Sequence, residues 1–145
     1  VESNRLIFAK RMQSLAEHLA RHKVADLFID TFPFGAHTTC SDALWTGLPV
    51  LTRAGQSFAS RVGASLLNAI NLSELITNTE KEYENMAIEL STNSEKLKKI
   101  KEKLKDNKNT TPLFDTKLFT KNIESAYIKM NEKYLKNLPL DNIEV

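Results

Sequence analysis

Short apolar runs alternate along this chain with longer stretches in which apolar residues recur at helical spacing. The runs are residues 6–9 (Leu-Ile-Phe-Ala), 25–30 (Ala-Asp-Leu-Phe-Ile-Asp), 50–52 (Val-Leu-Thr) and 75–77 (Leu-Ile-Thr). The first two read as buried strands, the third as another strand, and the fourth as a candidate fourth strand. Between them the pattern turns helical. Ser14 followed by Glu17 is a capping box opening a helix as far as His22, with Leu15, Leu19 and Val24 as its apolar stripe. Pro33 and Gly35 mark a turn, and a helix is expected from Thr38 to Trp45, stopped by Gly47 and Pro49. Ser57 or Ser60 can cap another helix reaching Asn68.

Beyond residue 77 the chain is predicted to be helical. Thr79 with Glu82 and Thr92 with Glu95 read as caps, and residues 107–112 read as a break. A last amphipathic helix over residues 117–135 carries Phe119, Ile123, Tyr127 and Met130 on one face, followed by a loose tail from 137 to 145. Short strands alternating with helices predict an α/β fold, a parallel sheet with flanking helices that ends in long helices. Ligands of such sheets bind beyond the carboxyl ends of the strands, which directs attention to the loops after Asp30 and Arg53.

Composition changes this picture little. A chain of 145 residues with 41% hydrophobic and 26% charged residues is sized for one globular domain. The net charge of +2 gives no reason to expect a nucleic acid partner, and no apolar run approaches the roughly 20 residues that span a bilayer. A single cysteine, Cys40, fits a reducing compartment, so a cytoplasmic location is expected. Seven lysines between Lys96 and Lys108 lie opposite Leu97, Ile100 and Leu104 and read as a solvated helix face. A first residue that is valine rather than methionine reads as a piece of a longer polypeptide.

The candidate chemistry centres on residues 34–43. A strand, a turn of small residues and a helix opening at Thr38 form an anion pocket, because the first helical N–H groups lack partners and the helix dipole favours negative charge there. His37, Thr38 and Thr39 stand at that mouth, and a neighbouring anion would favour the charged imidazole. Asp42 lies on the same face; a carboxylate repels phosphate, so it suits the hydroxyls of a ribose. The residues alone leave a second reading open, in which Thr39 and Asp42 only form a capping box. Cys40 near His37 could be read as a nucleophile, but without an orienting third residue it reads as packing. Arg61, in a first helical turn, needs an anionic partner, either a structural carboxylate or a ligand phosphate. His18 and Arg21 share one helix face, where a ring can stack on a base and a guanidinium can reach its edge. The sequence holds no glycine-rich phosphate loop of either common type, and no Asp-x-Asp pair or Cys/His cluster of metal-site form.

Several of these segments in series resemble a family. They are Glu17-His-Leu-Ala-Arg21, the run 25–30, His37-Thr-Thr39 with Asp42, Ala43-Leu-Trp-Thr-Gly-Leu-Pro49 and Ala59-Ser-Arg-Val-Gly-Ala-Ser65. Glu74-Leu-Ile76, Tyr83-Glu84 and Pro112-Leu-Phe-Asp-Thr116 follow in order. Together they are similar to the C-terminal catalytic lobe of the O-linked N-acetylglucosamine transferases, a family that includes the SPINDLY-type protein O-glycosyltransferases. The resemblance runs from about Arg5 to Met130.

It implies most of the C-terminal, nucleotide-binding, Rossmann-like lobe of a two-lobed GT-B glycosyltransferase, over residues 1–136. The implied activity is inverting, metal-independent transfer of a sugar to Ser or Thr of proteins. The implied donor is a nucleotide sugar, with UDP-N-acetylglucosamine favoured, and no further cofactor is expected. His37, Thr38 and Thr39 would hold the diphosphate, Asp42 the ribose, His18 the base, with Arg21 near its edge. No catalytic base is assigned within this stretch. A phosphate-gripping lysine, an acceptor-side histidine and substrate-recruiting tetratricopeptide repeats are expected upstream, in the parent protein. Leu15 stands near where members with a uridine donor carry a ribose-binding lysine, with Lys10 or Arg11 as possible substitutes. Two alternatives remain: a non-catalytic docking module of the same fold, and a nucleotide-sugar epimerase.

Overall fold

A computed structural model of the chain describes residues 2–145. Helix α1 (Leu15–Arg21) precedes β1 (Phe28–Ile29), α2 (Thr38–Thr46), β2 (Val50–Arg53), α3 (Val62–Ala69) and β3 (Ile76–Thr77). Three longer helices follow: α4 (Glu80–Thr92), α5 (Ser94–Asn107) and α6 (Thr116–Leu135). The strands form a parallel sheet in the order β1-β2-β3, with Phe28 opposite Val50, Ile29 opposite Leu51, and Thr52 opposite Ile76. The expected α/β architecture is therefore present.

The reasons are local first. Ser14 and Thr79 each complete a capping box with the glutamate three residues on, so α1 and α4 begin where their sequences say. Gly47 ends α2 at φ 88°, a left-handed conformation that L residues with a Cβ adopt only under strain; its N–H and that of Leu48 close back onto Leu44 and Ala43. Val50 and Leu51 are fully buried in β2, the central strand. Leu44 from α2, Leu67 from α3, Leu90 from α4 and Leu104 from α5 join Val50 in one core.

Several expectations are corrected. Residues 6–9 form no strand: Ile7 and Phe8 are 91% and 89% exposed, and no neighbouring strand among the described residues offers them backbone partners. The run 75–77 is thus the third strand, not the fourth. Of the run 25–30 only Phe28 and Ile29 pair, and Ile29 is half-exposed because β1 lies at a sheet edge. Leu15 and Val24 point to solvent, so α1 lacks the expected apolar stripe. Asn93 caps α5 by accepting from the Lys96 N–H, displacing the expected Thr92. Neither Ser57 nor Ser60 caps α3; their hydroxyls pair with each other across a 3-10 turn.

The expected face of α6 exists but is bare, with Phe119, Tyr127 and Met130 all more than half exposed. The lysine face of α5 is more tied down than a solvated face: Lys96, Lys101 and Lys103 pair with Glu89, Asp26 and Glu74. Among the described residues no helix is long and apolar enough to cross a membrane.

Candidate functional site

The loops beyond the carboxyl ends of β1 and β2 lie side by side. Residues 31–37 turn through a cis Phe32–Pro33 bond, and residues 54–61 run next to them. One carbonyl joins the two. Ala59 O accepts from the Gly35 N–H at 3.0 Å and lies 3.3 Å from His37 Nε2. The His37 ring is stacked on Phe34 and edge-on to Phe58, at centroid distances of 5.2 and 5.8 Å. A cleft of about 400 Å³ opens here, lined in part by Asp30, Phe34, His37, Thr38 and Thr39.

His37 occupies the N-cap of α2 but makes no side-chain cap. The capping-box reading of Thr39 and Asp42 is therefore not realised. The contrast with other helices is sharp. Ser14, Thr79, Asn93 and Asp115 each accept an N–H from the first turn of α1, α4, α5 and α6. Helices α2 and α3, which start at the carboxyl-end loops, have no such cap. Thr38 and Thr39 are exposed at the α2 mouth, and their hydroxyls have no partner among the described residues. Open amide donors, two free hydroxyls and a positive dipole end suit a phosphate.

Helix α1 packs against α2. His18 Nε2 lies 3.3 Å from Asp42 Oδ2, and both side chains are about three-quarters buried. The His18 ring also meets the buried His22 edge-on at 5.1 Å. The tertiary fold thus brings two predicted site residues into contact across α1 and α2. It leaves Asp42 Oδ1 without a partner among the described residues, open to a hydroxyl donor. Arg21, half-buried at the end of α1, has no ion pair among the described residues. Leu15 is exposed in the first turn of α1, and Lys10 and Arg11 are exposed ahead of it.

Two expectations about neighbouring residues change. Arg61 has no carboxylate partner among the described residues: its Nη1 donates to Gly55 O at 3.0 Å. Cys40 is fully buried, and burial, aided by the charge of Asp30, pushes its thiol up to about 12. A thiol so protonated is packing, not a nucleophile.

Asp30 is the residue that reading the sequence as a strand end missed. It is 5% exposed, and its carboxylate accepts from three donors. The available signal was a carboxylate closing a buried apolar run just ahead of the candidate loop. Among the described residues no group of three or more His, Cys, Asp or Glu is placed to hold a metal ion.

A sequence profile described as Glycosyl transferase family 41 matches residues 1–123. A UDP-N-acetylglucosamine–peptide N-acetylglucosaminyltransferase of Caenorhabditis elegans is 33% identical over 143 residues, which are 99% of this chain and 12% of that protein. The SEC protein of Arabidopsis thaliana, named a probable enzyme of the same kind, is 37% identical over 131 residues, 90% of this chain and 13% of its own length. Among solved structures, a lysine-to-methionine mutant of the O-GlcNAc transferase of Thermobaculum terrenum superposes with a TM-score of 0.76 at 33% identity. That match covers 81% of this chain and 23% of the other. The chain therefore spans only about an eighth of the length of these curated relatives. With the profile covering most of the sequence and the fold agreeing, this chain belongs to glycosyltransferase family 41.

Proposed function

We propose that this chain is the donor-nucleotide half of a protein O-glycosyltransferase that moves a sugar from a nucleotide diphosphate donor to Ser or Thr hydroxyls. The observation that carries the reading is the uncapped mouth of α2, which presents Thr38 and Thr39 beside His37, with the His18–Asp42 pair joining α1 to the same helix. The names of the relatives, which specify UDP-N-acetylglucosamine and peptide, support that donor and that acceptor class. In this reading Thr38, Thr39 and the first α2 amides hold the diphosphate. Asp42 Oδ1 accepts from a ribose hydroxyl while His18 holds Oδ2, and the His18 ring and Arg21 border the base.

The chemistry follows from where charge develops. As the acceptor oxygen bonds to the anomeric carbon, the bond from that carbon to the phosphate oxygen breaks, and its electron pair passes to the diphosphate. Donors already aimed at that oxygen stabilise the growing charge without reorganising, which lowers the barrier. His37 is held in place for this by Ala59 O and the two phenylalanine rings. The group that takes the acceptor proton is assigned to the parent protein outside this stretch. The chain alone is expected to bind nucleotide weakly and not to turn over.

Titration calorimetry with UDP and GDP, on the wild type and on His37→Ala and Thr38→Ala/Thr39→Ala variants, tests the pocket. The expected result is binding of one diphosphate, weakened about tenfold or more in the variants, as for lost hydrogen bonds to a charged group. Equal binding by folded variants would remove the α2 mouth from the site.

A further inference from the structure

We propose that Asp30 is a positioning residue of the nucleotide pocket, acting through the Ala36 N–H to hold the α2 mouth open toward the ligand. The inference rests on the donor-binding reading above. It starts from a buried carboxylate that the reading leaves without a role. Asp30 directly follows β1, is 5% exposed and has no ion pair among the described residues. A charge kept that deep is costly unless hydrogen bonds compensate it.

The compensation is complete and directional. Oδ1 accepts from the Ala36 N–H at 2.7 Å and from the Thr31 N–H at 2.8 Å; Oδ2 accepts from Thr52 Oγ1 at 2.7 Å. The backbone is fixed as well. Asp30 N–H donates to Leu51 O, and the Tyr83 hydroxyl of α4 donates to Asp30 O. Thus β1, β2 and α4 all bear on this residue, and its carboxylate passes that rigidity to the loop.

The site of that transfer matters. The loop is pinned at two points, Ala36 by Asp30 and Gly35 by Ala59 O. Both pins draw amide groups inward just before His37. The first α2 donors, at Thr38 and Thr39, have no partner among the described residues and border the cleft. The packing around the carboxylate is tight: a Cβ added at Gly35 or Gly63 would lie 3.1 Å from Asp30 Oδ2. With both oxygens engaged, three hydrogen bonds compensate the buried charge.

The test separates positioning from plain stability. Asp30→Asn keeps an oxygen for Ala36 and Thr31 and an amide for Thr52, whereas Asp30→Ala removes every bond. In Asp30→Ala, hydrogen exchange by NMR should show loss of protection at the Ala36 amide and shifts at the Thr38 and Thr39 amides. UDP affinity should fall about tenfold or more, the scale for misplaced charge-assisted hydrogen bonds. Asp30→Asn should restore the amide positions and bring affinity to within about threefold of wild type, as its bonds are kept at neutral rather than charged strength. Leu90→Ala, a core change in α4, is the control: it should lower thermal stability without moving affinity.

If Asp30→Ala does not fold, Asp30→Ser replaces it, since its shorter side chain cannot reach Ala36. Unchanged Thr38 and Thr39 amides and unchanged affinity in a folded Asp30→Ala or Asp30→Ser protein would overturn the proposal. So would failure of Asp30→Asn to restore them. If wild type binds no nucleotide, the donor-binding reading fails, and the amide shifts still decide whether Asp30 sets the loop.

Discussion

Helices α2 and α6 both carry apolar residues at helical spacing, yet α2 fully buries Cys40, Ala43 and Leu44 while α6 buries no residue. Their N-termini differ in the opposite sense. Asp115 accepts the Leu118 N–H and closes the mouth of α6, whereas α2 has no side-chain cap. The difference teaches how this fold divides labour. A helix locked by its packed face can leave its dipole end unsatisfied for a ligand. One without such packing relies on its own cap and on local pairs such as Lys136 with Glu132.

The sharpest way to break the comparison is to attack both faces. Leu44→Ala should destabilise the protein by about 2–5 kcal/mol, the range for deleting a buried leucine side chain. Tyr127→Ala, on the exposed face of α6, should stay within about 0.5 kcal/mol, as surface changes do. Urea denaturation monitored by circular dichroism measures both, and a similar loss at Tyr127 would mean that α6 is packed in solution.

The two helix mouths can be compared directly. Adding UDP should shift the amide resonances of Thr38 and Thr39 and leave Thr116 and Lys117 unmoved, because Asp115 already satisfies and charges the α6 mouth. Equal shifts at both ends would reduce the effect to generic anion binding at helix termini.

Alkali probes the packed half alone. Burial and the Asp30 charge raise the Cys40 thiol from 9.0 to about 12 and the Tyr83 hydroxyl from 10.0 to about 12. The folded protein holds protons there that the unfolded chain releases. The resulting stability is present below about pH 9 and is lost as pH rises toward 12. Melting temperatures across that range should fall, and Cys40→Ala should flatten part of the fall. A thiol reagent at neutral pH should modify native Cys40 only as fast as the protein opens.

Gly47→Ala should have a smaller effect, about 1 kcal/mol for forcing a Cβ into the left-handed C-terminal turn of α2. No side chain crowds that position, so backbone conformation alone sets the cost.

Much of this was legible before any coordinates. The capping boxes at Ser14 and Thr79, the stop at Gly47 and the strand at Val50 depend on partners a few residues away, and they fall where their patterns place them. The strand expected at residues 6–9 failed for the complementary reason. A strand needs a neighbour, and its apolar composition could not supply one.

The candidate site divides along the same line. Sequence alone determined its ingredients: His37, Thr38 and Thr39 at a helix start, Asp42 one turn on, and His18 with Arg21 on another helix. Only the tertiary structure decided their relations. It set His18 against Asp42 over 24 residues of separation, joined His37 to Ala59, and buried Asp30 beneath Ala36. It also left the mouth of α2 open while closing that of α6. Capping is a contest among groups within one turn, so sequence can offer Thr39 and Asp42 as a pair. Long-range packing then gave Asp42 a histidine partner and left the first α2 amides without a side-chain cap.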